Sequence, residues 1–374
     1  MRTARVFRLS MAHPGDLSAL EELIDRGTIR AAEVVAVIGK TEGNGGVNDF
    51  TRGYFTQTLM ALLSRYLNRP VTQLIREIPC VLSGGTEGVM SPHYSVFCIA
   101  DNATAERRFP SALAIGTAFS EPVPTEDVGR RAHVESVASA VREAIENARI
   151  ERLDDVHFVQ VKCPCVTAGR AAAAITAGKT PRTSDPNRSM AFARAAGAFG
   201  VALALNEIAP GDFDDESLLS DFSIQSPRAS ISSGVEVECN EVVVLGNSSA
   251  WDGSLRIAHR SMSDALDIGA IVDVLADLGI EARPQVAPAA AAGRIACVLV
   301  KCEPDRRGNV RGHRHTMLDD IDINAQRHIR GAVAGLVAGV IGEGRIFVSG
   351  GAEHQGPDGG GLIAVIASQQ KAGA

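Results

Sequence analysis

The sequence lacks an excess of positive charge. Its 37 lysine and arginine residues are outnumbered by 44 aspartate and glutamate residues, so the formal net charge at pH 7 is −7. Binding to nucleic acid or to an anionic membrane requires a basic surface. We therefore expect neither a nucleic-acid partner nor a membrane partner.

Long hydrophobic runs are also missing. The most apolar stretch, residues 331–342 (GAVAGLVAGVIG), has about 12 residues, whereas a membrane-spanning helix needs roughly 20. The opening residues, MRTARVFRLSMAHPGD, contain basic side chains but no apolar segment typical of a signal peptide. We therefore expect a cytoplasmic protein.

The cysteines lack the two-residue spacer of common zinc-binding or redox pairs. Cys163 and Cys165 are separated by a single residue, and the total of seven cysteines is odd. Most of them lie in apolar runs typical of strands. We predict reduced, buried thiols.

The sequence does contain three weak copies of one pattern, and such a long repeat decides the fold. Three strand-like runs, VVAVIGK, VHFVQVK and ACVLVK, end in a lysine: Lys40, Lys162 and Lys301. Three others end in a serine followed by small residues: Ser83, Ser232 and Ser349. A glutamate lies four residues after each serine: Glu87, Glu236 and Glu353.

Each copy shows the same order of elements: a strand, a helix, the lysine strand, a loop, a second helix, the serine strand and a last strand. Polar turn residues near 107–111 and 247–253 predict three repeat units, residues 1–104, 111–249 and 254–374. Four strands and two helices make a sheet with one helical face. We predict a mixed α/β fold with three homologous units around a pseudo-threefold axis, sheets inside and helices outside, sharing one central site.

Lysine and serine at the ends of neighbouring strands can lie side by side. A neutral lysine amine can accept the serine proton and so create a nucleophile. Desolvation and nearby positive charge both lower the pKa of a lysine toward neutrality, and three lysines on one axis supply both effects. The pattern itself does not single out one of the three pairs.

Each unit also has an arginine in or near its second helix: Arg52, Arg194 and Arg330. The planar guanidinium fork suits carbonyl or imide oxygens. The distances in sequence from these arginines to the serines are unequal, so the spacing supports them weakly. The three glutamates have two interpretations, as partners of the cations or as surface residues.

Long motifs in the chain resemble the ring-opening amidohydrolases, the family of cyanuric acid amidohydrolases and barbiturases. They are VIGKTEGNGGVNDFTR, VLSGGTEGVMSPH, HFVQVKCP, GHRHTMLDDIDIN and VSGGAEHQGPDGGG. The resemblance covers nearly the whole chain and implies an enzyme with its site on the pseudo-threefold axis. The implied reaction opens cyanuric acid to carboxybiuret, which loses carbon dioxide to give biuret. The alternative is a barbiturase that converts barbituric acid to ureidomalonate.

The resemblance also assigns roles by motif. It implies Lys162 as the general base and Ser232 as the nucleophile. It implies that the ring is held by Ser83, Gly84, Ser233, Ser349, Gly350, Arg52, Arg194 and Arg330, with Lys40 and Lys301 completing the other two pairs. Gln326 is the implied specificity residue, and a homotetramer is the implied assembly.

No catalytic cofactor is implied, but a structural divalent cation is. Its ligands by motif are the side chain of Glu303 and groups from Ala352, Gln355, Gly356, Pro357 and Gly360. One carboxylate with several backbone carbonyls suits a hard cation such as magnesium or calcium.

Three other interpretations start from single residues. His313 and His315, with His328, suggest a zinc hydrolase. Cys163 or Cys302, each directly after a repeat lysine, suggests a cysteine nucleophile, but neighbouring residues on a strand face opposite sides. A protein that only binds a small anion is the third alternative.

Overall fold

The elements of the chain follow the predicted order in all three units. The computed structural model describes residues 1–101 and 109–369. In the first unit the strands are β1 (Arg2–Ser10), β2 (Val34–Thr41), β3 (Cys80–Gly84) and β4 (His93–Asp101), and the helices are α1 (Ser18–Asp25), α2 (Phe50–Leu67) and α3 (Val71–Leu74).

The second unit repeats this plan with longer helices. Its strands are β5 (Ala112–Pro122), β6 (Val156–Pro164), β7 (Ala229–Gly234) and β8 (Cys239–Ser248). Its helices are α4 (Arg131–Ala148), α5 (Ala168–Thr176) and α6 (Pro186–Ala204).

The third unit follows a two-residue strand, β9 (Trp251–Asp252). Its strands are β10 (Leu255–Met262), β11 (Ile295–Cys302), β12 (Asn309–Val310), β13 (His313–Arg314), β14 (Phe347–Ser349) and β15 (Gly361–Ser368). Its helices are α7 (Ile268–Asp277), α8 (Pro288–Arg294) and α9 (Ala325–Ile341).

The three main sheets share one strand order. It runs serine strand, lysine strand, last strand, first strand: β3-β2-β4-β1, β7-β6-β8-β5 and β14-β11-β15-β10. Among these four strands, the serine and lysine strands are parallel in every sheet, and the other neighbours are antiparallel. The short strand β9 extends the first sheet beyond β1. The carboxyl ends of the two parallel strands therefore lie together at one edge of every sheet.

The second helix of each unit begins at a side chain that caps its free amides. Asp49 accepts from the backbone N–H of Thr51 at the start of α2, and Asp185 and Asn324 cap α6 and α9 in the same way. Such caps stabilise a helix start by about 1 kcal/mol. They fix where each helix begins, and so the direction in which its arginine points.

The sheets face inward and the helices lie outside, as predicted. On β11, Cys297 and Leu299 belong to the central core, whereas Val298 and Val300 pack in the core beneath the helices of the third unit. Since side chains alternate along a strand, Lys301 continues the inward series. The α/β fold with three units around a pseudo-threefold axis is confirmed.

The unit boundaries at residues 104, 111, 249 and 254 stay a prediction. The polar segment around residue 107 and the end of the third unit, residues 370–374, lie outside the described residues. Six of the seven cysteines are buried free thiols, and Cys239 is half-buried. Within the described ranges, no helix combines the length and the apolar character needed to cross a bilayer.

Candidate active site

In every sheet the repeat lysine and the repeat serine are direct neighbours. The register pairs them across the parallel strands: Lys40 with Ser83, Lys162 with Ser232, and Lys301 with Ser349. Paired residues project from the same face of a sheet. The three pairs therefore meet where the inner faces of the sheets converge.

A cavity of about 40 Å³ lies at this meeting point. Its walls include most of the predicted catalytic and binding residues: Arg52, Ser83, Gly84, Lys162, Arg194, Ser232, Ser233, Arg330, Ser349 and Gly350. Lys40 and Lys301 are fully buried behind the serines with which they pair. The structure thus brings the predicted residues together, while their roles stay predictions.

The first and third pairs form one hydrogen-bonded chain across the axis. Lys40 Nζ donates to Ser83 Oγ at 3.2 Å, and Ser83 Oγ donates to Ser349 Oγ at 3.2 Å. Lys301 Nζ donates to the same Ser349 Oγ at 3.2 Å. Both serines are therefore engaged.

The second pair is arranged differently. Lys162 Nζ lies 2.7 Å from Glu236 Oε1 and donates to the carbonyl of Leu82 at 3.3 Å. Ser232 Oγ is buried and has no hydrogen-bond partner among the described residues. A buried hydroxyl without a partner costs free energy unless a ligand or water satisfies it, which is typical of a functional site.

Burial lowers the pKa of all three lysines. Desolvation and then the charge of Arg330 hold the pKa of Lys40 well below its ordinary value. Desolvation and Arg194 lower the pKa of Lys301 to about 7. The pKa of Lys162 is lowered by desolvation too, but the carboxylate of Glu236 opposes the shift.

The three arginines and the three glutamates form a ring of ion pairs between units. Each arginine binds the glutamate of the next unit through its Nε: Arg52 to Glu236 at 2.6 Å, Arg194 to Glu353 at 2.7 Å, and Arg330 to Glu87 at 2.8 Å. All three arginines donate through Nη2 to the same carboxylate as well. Such charged forks are strong and directional, so the glutamates are partners of the cations, the first of the two interpretations.

A wider cavity of about 390 Å³ shares its inner wall with the site. One exposed asparagine from each unit lines it: Asn44, Asn187 and Asn324. Gln326 lies here too, and its Oε1 accepts from the backbone N–H of Gly351 at 2.6 Å. Gln326 therefore lines the wider cavity and is not among the residues that line the smaller one.

The predicted cation ligands also come together, in the loop that follows Ser349. The N–H of Glu303 donates to the carbonyl of Gly360 at 3.1 Å. Within the loop, the N–H groups of Gln355 and Gly360 donate to the carbonyls of Ala352 and Pro357, each at 2.9 Å, and close two turns. The positive φ of +92° suits glycine at Gly356.

The carboxylate in this loop is poorly satisfied. Glu303 Oε2 is buried without a hydrogen-bond partner among the described residues. Asp358 Oδ1 and Arg306 Nη1 make no hydrogen bond there either, but they lie 3.7 Å apart as an ion pair. Burial and the charge of Glu353 raise the pKa of Glu303 to about 7. A buried carboxylate oxygen without a hydrogen bond is a ligand type that a hard cation accepts, and Arg306 donates to the other oxygen of Glu303.

Neither the histidines of the zinc-hydrolase alternative nor the cysteines of the cysteine-nucleophile alternative are arranged as those mechanisms require. His315 bonds the carbonyl of Asp305, and His328 bonds Asp320. In the ranges that the structure describes, no three His, Cys, Asp or Glu side chains are grouped to hold a metal ion. Cys163 faces helix α6, where its Sγ lies against Gly197, as the alternation predicts. Burial raises the pKa of Cys302 to about 12.

The sequence analysis missed several residues of the site. Gly45, Leu82 and Met190 also line the cavity. Glu241 is the register partner of Lys162 on β8, and burial raises the pKa of its carboxyl to about 7. The scarcity of lysine, with three of the chain's five lysines at this site, supports the repeat lysines but gives no signal for these four residues.

Residues 5–368 of the chain match the amidohydrolase ring-opening protein family. A cyanuric acid amidohydrolase from Bradyrhizobium sp. (strain ORS 375) is 48% identical over 368 residues, with 98% of both chains covered. Another, from Azorhizobium caulinodans, is 47% identical over 369 residues, with 99% of both chains covered.

Solved structures agree with these sequence relatives. A cyanuric acid hydrolase structure superposes with a TM-score of 0.94 at 44% identity, covering 98% of this chain and 100% of that one. The crystal structure of the enzyme from A. caulinodans gives a TM-score of 0.91 at 47% identity, covering 99% and 100%.

Proposed function

Because the chain belongs to the ring-opening amidohydrolases, hydrolases of C–N bonds in cyclic amides, we propose that its substrate is cyanuric acid. The observation that carries the proposal is the threefold repetition of serine and arginine around one small cavity. Cyanuric acid has three equivalent ring carbonyls. A pseudo-threefold site can hold each carbonyl with the same pair of donors, so one orientation of the ring satisfies all three.

The proposed nucleophile is Ser232, activated by Lys162. The neutral amine of Lys162 takes the proton of Ser232 Oγ, and the oxygen attacks one ring carbonyl. Backbone N–H groups after the serines and the nearby arginines stabilise the negative charge on the carbonyl oxygen. The ring C–N bond then breaks, and the proton on Lys162 passes to the leaving nitrogen.

Hydrolysis of the acyl-enzyme completes the proposed cycle. Lys162 removes a proton from water, the resulting hydroxide attacks the acyl carbon, and Ser232 leaves with the proton. The product is carboxybiuret, which loses carbon dioxide to give biuret. Ser83 and Ser349 serve as binding groups, because their hydroxyls are already bonded to lysines and to each other.

A structural magnesium or calcium ion is part of the proposal. Glu303 would hold the ion together with groups from the loop after Ser349: Ala352, Gln355, Gly356, Pro357 and Gly360. The ion would make this loop rigid and would take no part in the chemistry. Gln355 connects this loop to the nucleophile strand, since its Oε1 accepts from the N–H of Ile231 at 2.6 Å. Ile231 directly precedes Ser232.

We also propose that the protein is a cytoplasmic homotetramer, as the family resemblance implies. Light scattering of the purified protein tests the assembly. The expected mass is four times the 39.3 kDa of the chain.

Turnover of cyanuric acid and of barbituric acid, measured in parallel, tests the substrate. Ultraviolet absorbance follows the loss of substrate, and mass spectrometry identifies the product. We expect loss of cyanuric acid with formation of biuret. Loss of barbituric acid alone would identify a barbiturase, and loss of neither substrate would favour a protein that only binds.

A further inference from the structure

The three lysines share one register but differ in one contact. Lys40 and Lys301 each donate to their own serine at 3.2 Å. Lys162 instead contacts Glu236 at 2.7 Å, and Ser232 Oγ has no partner in the part of the chain that the structure describes. The pair assigned to catalysis is thus the one whose hydrogen bond is not formed.

The glutamates differ in the same way. Each binds one arginine of a neighbouring unit, and Glu87 binds Arg327 in addition. Glu236 binds both Lys162 and Arg52, so one carboxylate is shared by a lysine and by an arginine that lines the cavity. Burial raises the pKa of Glu236, but these two cations outweigh it and bring the pKa to about 2.

An ammonium group at Lys162 cannot accept the proton of Ser232. A carboxylate at 2.7 Å favours that ammonium. Lys162 Nζ makes no hydrogen bond to Ser232 Oγ, which has no partner among the described residues. The other groups near Lys162 are Arg52 on α2, Glu241 on β8, and the thiols of Cys80, Cys163 and Cys165. Of these, the carboxylate that contacts Nζ directly has the largest leverage on its charge.

We propose that Glu236 is the positioning residue of Lys162, which it holds charged and away from Ser232 until substrate engages Arg52. This inference rests on the proposed function, in which Lys162 is the base. When Arg52 turns a guanidinium N–H toward a ring carbonyl, Glu236 loses part of its stabilisation. The N–H bond of the ammonium then breaks, and its proton moves to Glu236 Oε1 along the existing 2.7 Å contact.

The transfer leaves a neutral amine beside a neutral carboxylic acid. The side chain of Lys162 has four rotatable bonds, so the free amine can turn to Ser232 Oγ and accept its proton. The Lys40 and Lys301 pairs lack this device, because their lysines already donate to the serines. Substrate binding therefore activates one pair out of three.

The scarcity of lysine makes a direct test practical. Only five lysines occur in the chain, so protein labelled with ¹³C-lysine gives five Cε signals, whose shifts report the charge of each amine. Single Lys→Arg variants assign the signals. The titration is recorded without substrate for the wild type, for Glu236→Gln and for the matched control Glu87→Gln. Glu87 binds Arg327 and Arg330 and makes no ion pair with a lysine among the described residues.

We expect Glu236→Gln to lower the titration midpoint of Lys162 by about one pH unit or more, since a contacting carboxylate shifts a pKa by that amount. The acidic limb of kcat/KM against pH should move the same way. Glu87→Gln should leave the Lys162 midpoint in place. An unmoved midpoint in Glu236→Gln, or an equal movement in both variants, would overturn the proposal.

A measurement on the wild type covers the case in which Glu236→Gln does not fold. Lys162 should titrate above Lys40, and the reverse order would contradict the proposal. These midpoints are independent of turnover. A shifted Lys162 midpoint in an enzyme that leaves cyanuric acid intact would refute the proposed substrate but not the contact between Glu236 and Lys162.

Discussion

The second unit has the same strand order and register as the other two units, but its lysine and serine make different contacts. In the first and third units, two lysines and two serines are joined in one hydrogen-bonded chain across the axis. In the second unit, Lys162 is paired with a carboxylate and Ser232 has no partner among the described residues. Strand register places each lysine beside its serine in all three units, whereas neighbouring side chains decide which contacts each pair makes.

The strand beside each lysine shows where this difference originates. The antiparallel partner of the lysine is His93 in the first unit, Glu241 in the second and Leu362 in the third. A single position thus carries a base, an acid and an apolar group. The repeat provides three equivalent lysine–serine pairs that can bind substrate. A different residue beside the lysine in each unit allows one pair to act in catalysis.

The largest expected effect separates the second pair from the others. Ser232→Ala and Lys162→Met should each lower kcat by about 10⁴-fold or more, because residues that act as one unit fail together. Ser83→Ala and Ser349→Ala should mainly raise KM. Steady-state kinetics on the four variants test this, and an active Ser232→Ala beside an inactive Ser83→Ala would reassign the nucleophile.

Replacing the arginines should show a smaller difference between the units. Arg52→Lys and Arg330→Lys keep a charge but lose the fork, and each should reduce kcat/KM by about 10- to 100-fold, the effect of a lost charged hydrogen bond. Arg52→Lys should lower kcat more than Arg330→Lys does, because Arg52 shares Glu236 with Lys162. Equal kcat values in the two variants would remove this distinction between the units.

A chelator should destabilise the protein through the third unit, which contains the proposed cation site. We expect a chelator to lower the unfolding free energy by about 2 to 3 kcal/mol if the cation was present at 100 times its Kd. Thermal unfolding with and without chelator measures the effect, and added magnesium or calcium should restore the wild type. Glu303→Gln is the control, since without that carboxylate the chelator should change little; an unchanged wild type would exclude the proposed ion.

The smallest effect should come from Glu241→Gln. Burial raises the pKa of Glu241 to about 7, so this carboxyl gains a negative charge as the pH rises through 7 and then favours the ammonium of Lys162. The amide cannot ionise, so the variant should lose one inflection near pH 7 from its profile of kcat/KM, with a change of roughly two- to threefold. The matching change His93→Gln should not alter that inflection.

Part of the site could be predicted because it repeats. Lysine and serine at the ends of apolar runs, three times in the same order, indicated neighbouring strands, and the register pairs each lysine with its serine. The arginines were weaker predictions. The three helices begin at caps that lie at different distances before the arginine, so position in sequence does not show that all three point inward.

Other features depend on contacts between distant segments. Arg52 and Glu236 are 184 residues apart, and Arg330 and Glu87 are 243 apart. No local pattern identifies such partners. The same holds for Glu241, whose carboxylate accepts from the N–H of Cys80 in another unit at 3.0 Å.

The sequence by itself determined the repeat, the alternation that turns lysines inward and cysteines toward the helices, and the family. These follow from local periodicity, since each strand presents its side chains to fixed faces. Only the tertiary structure decided which glutamate contacts which cation, and which serine hydroxyl has no hydrogen-bond partner among the described residues. Those contacts join residues from different units, and their strength depends on the burial that assembly of the three sheets creates.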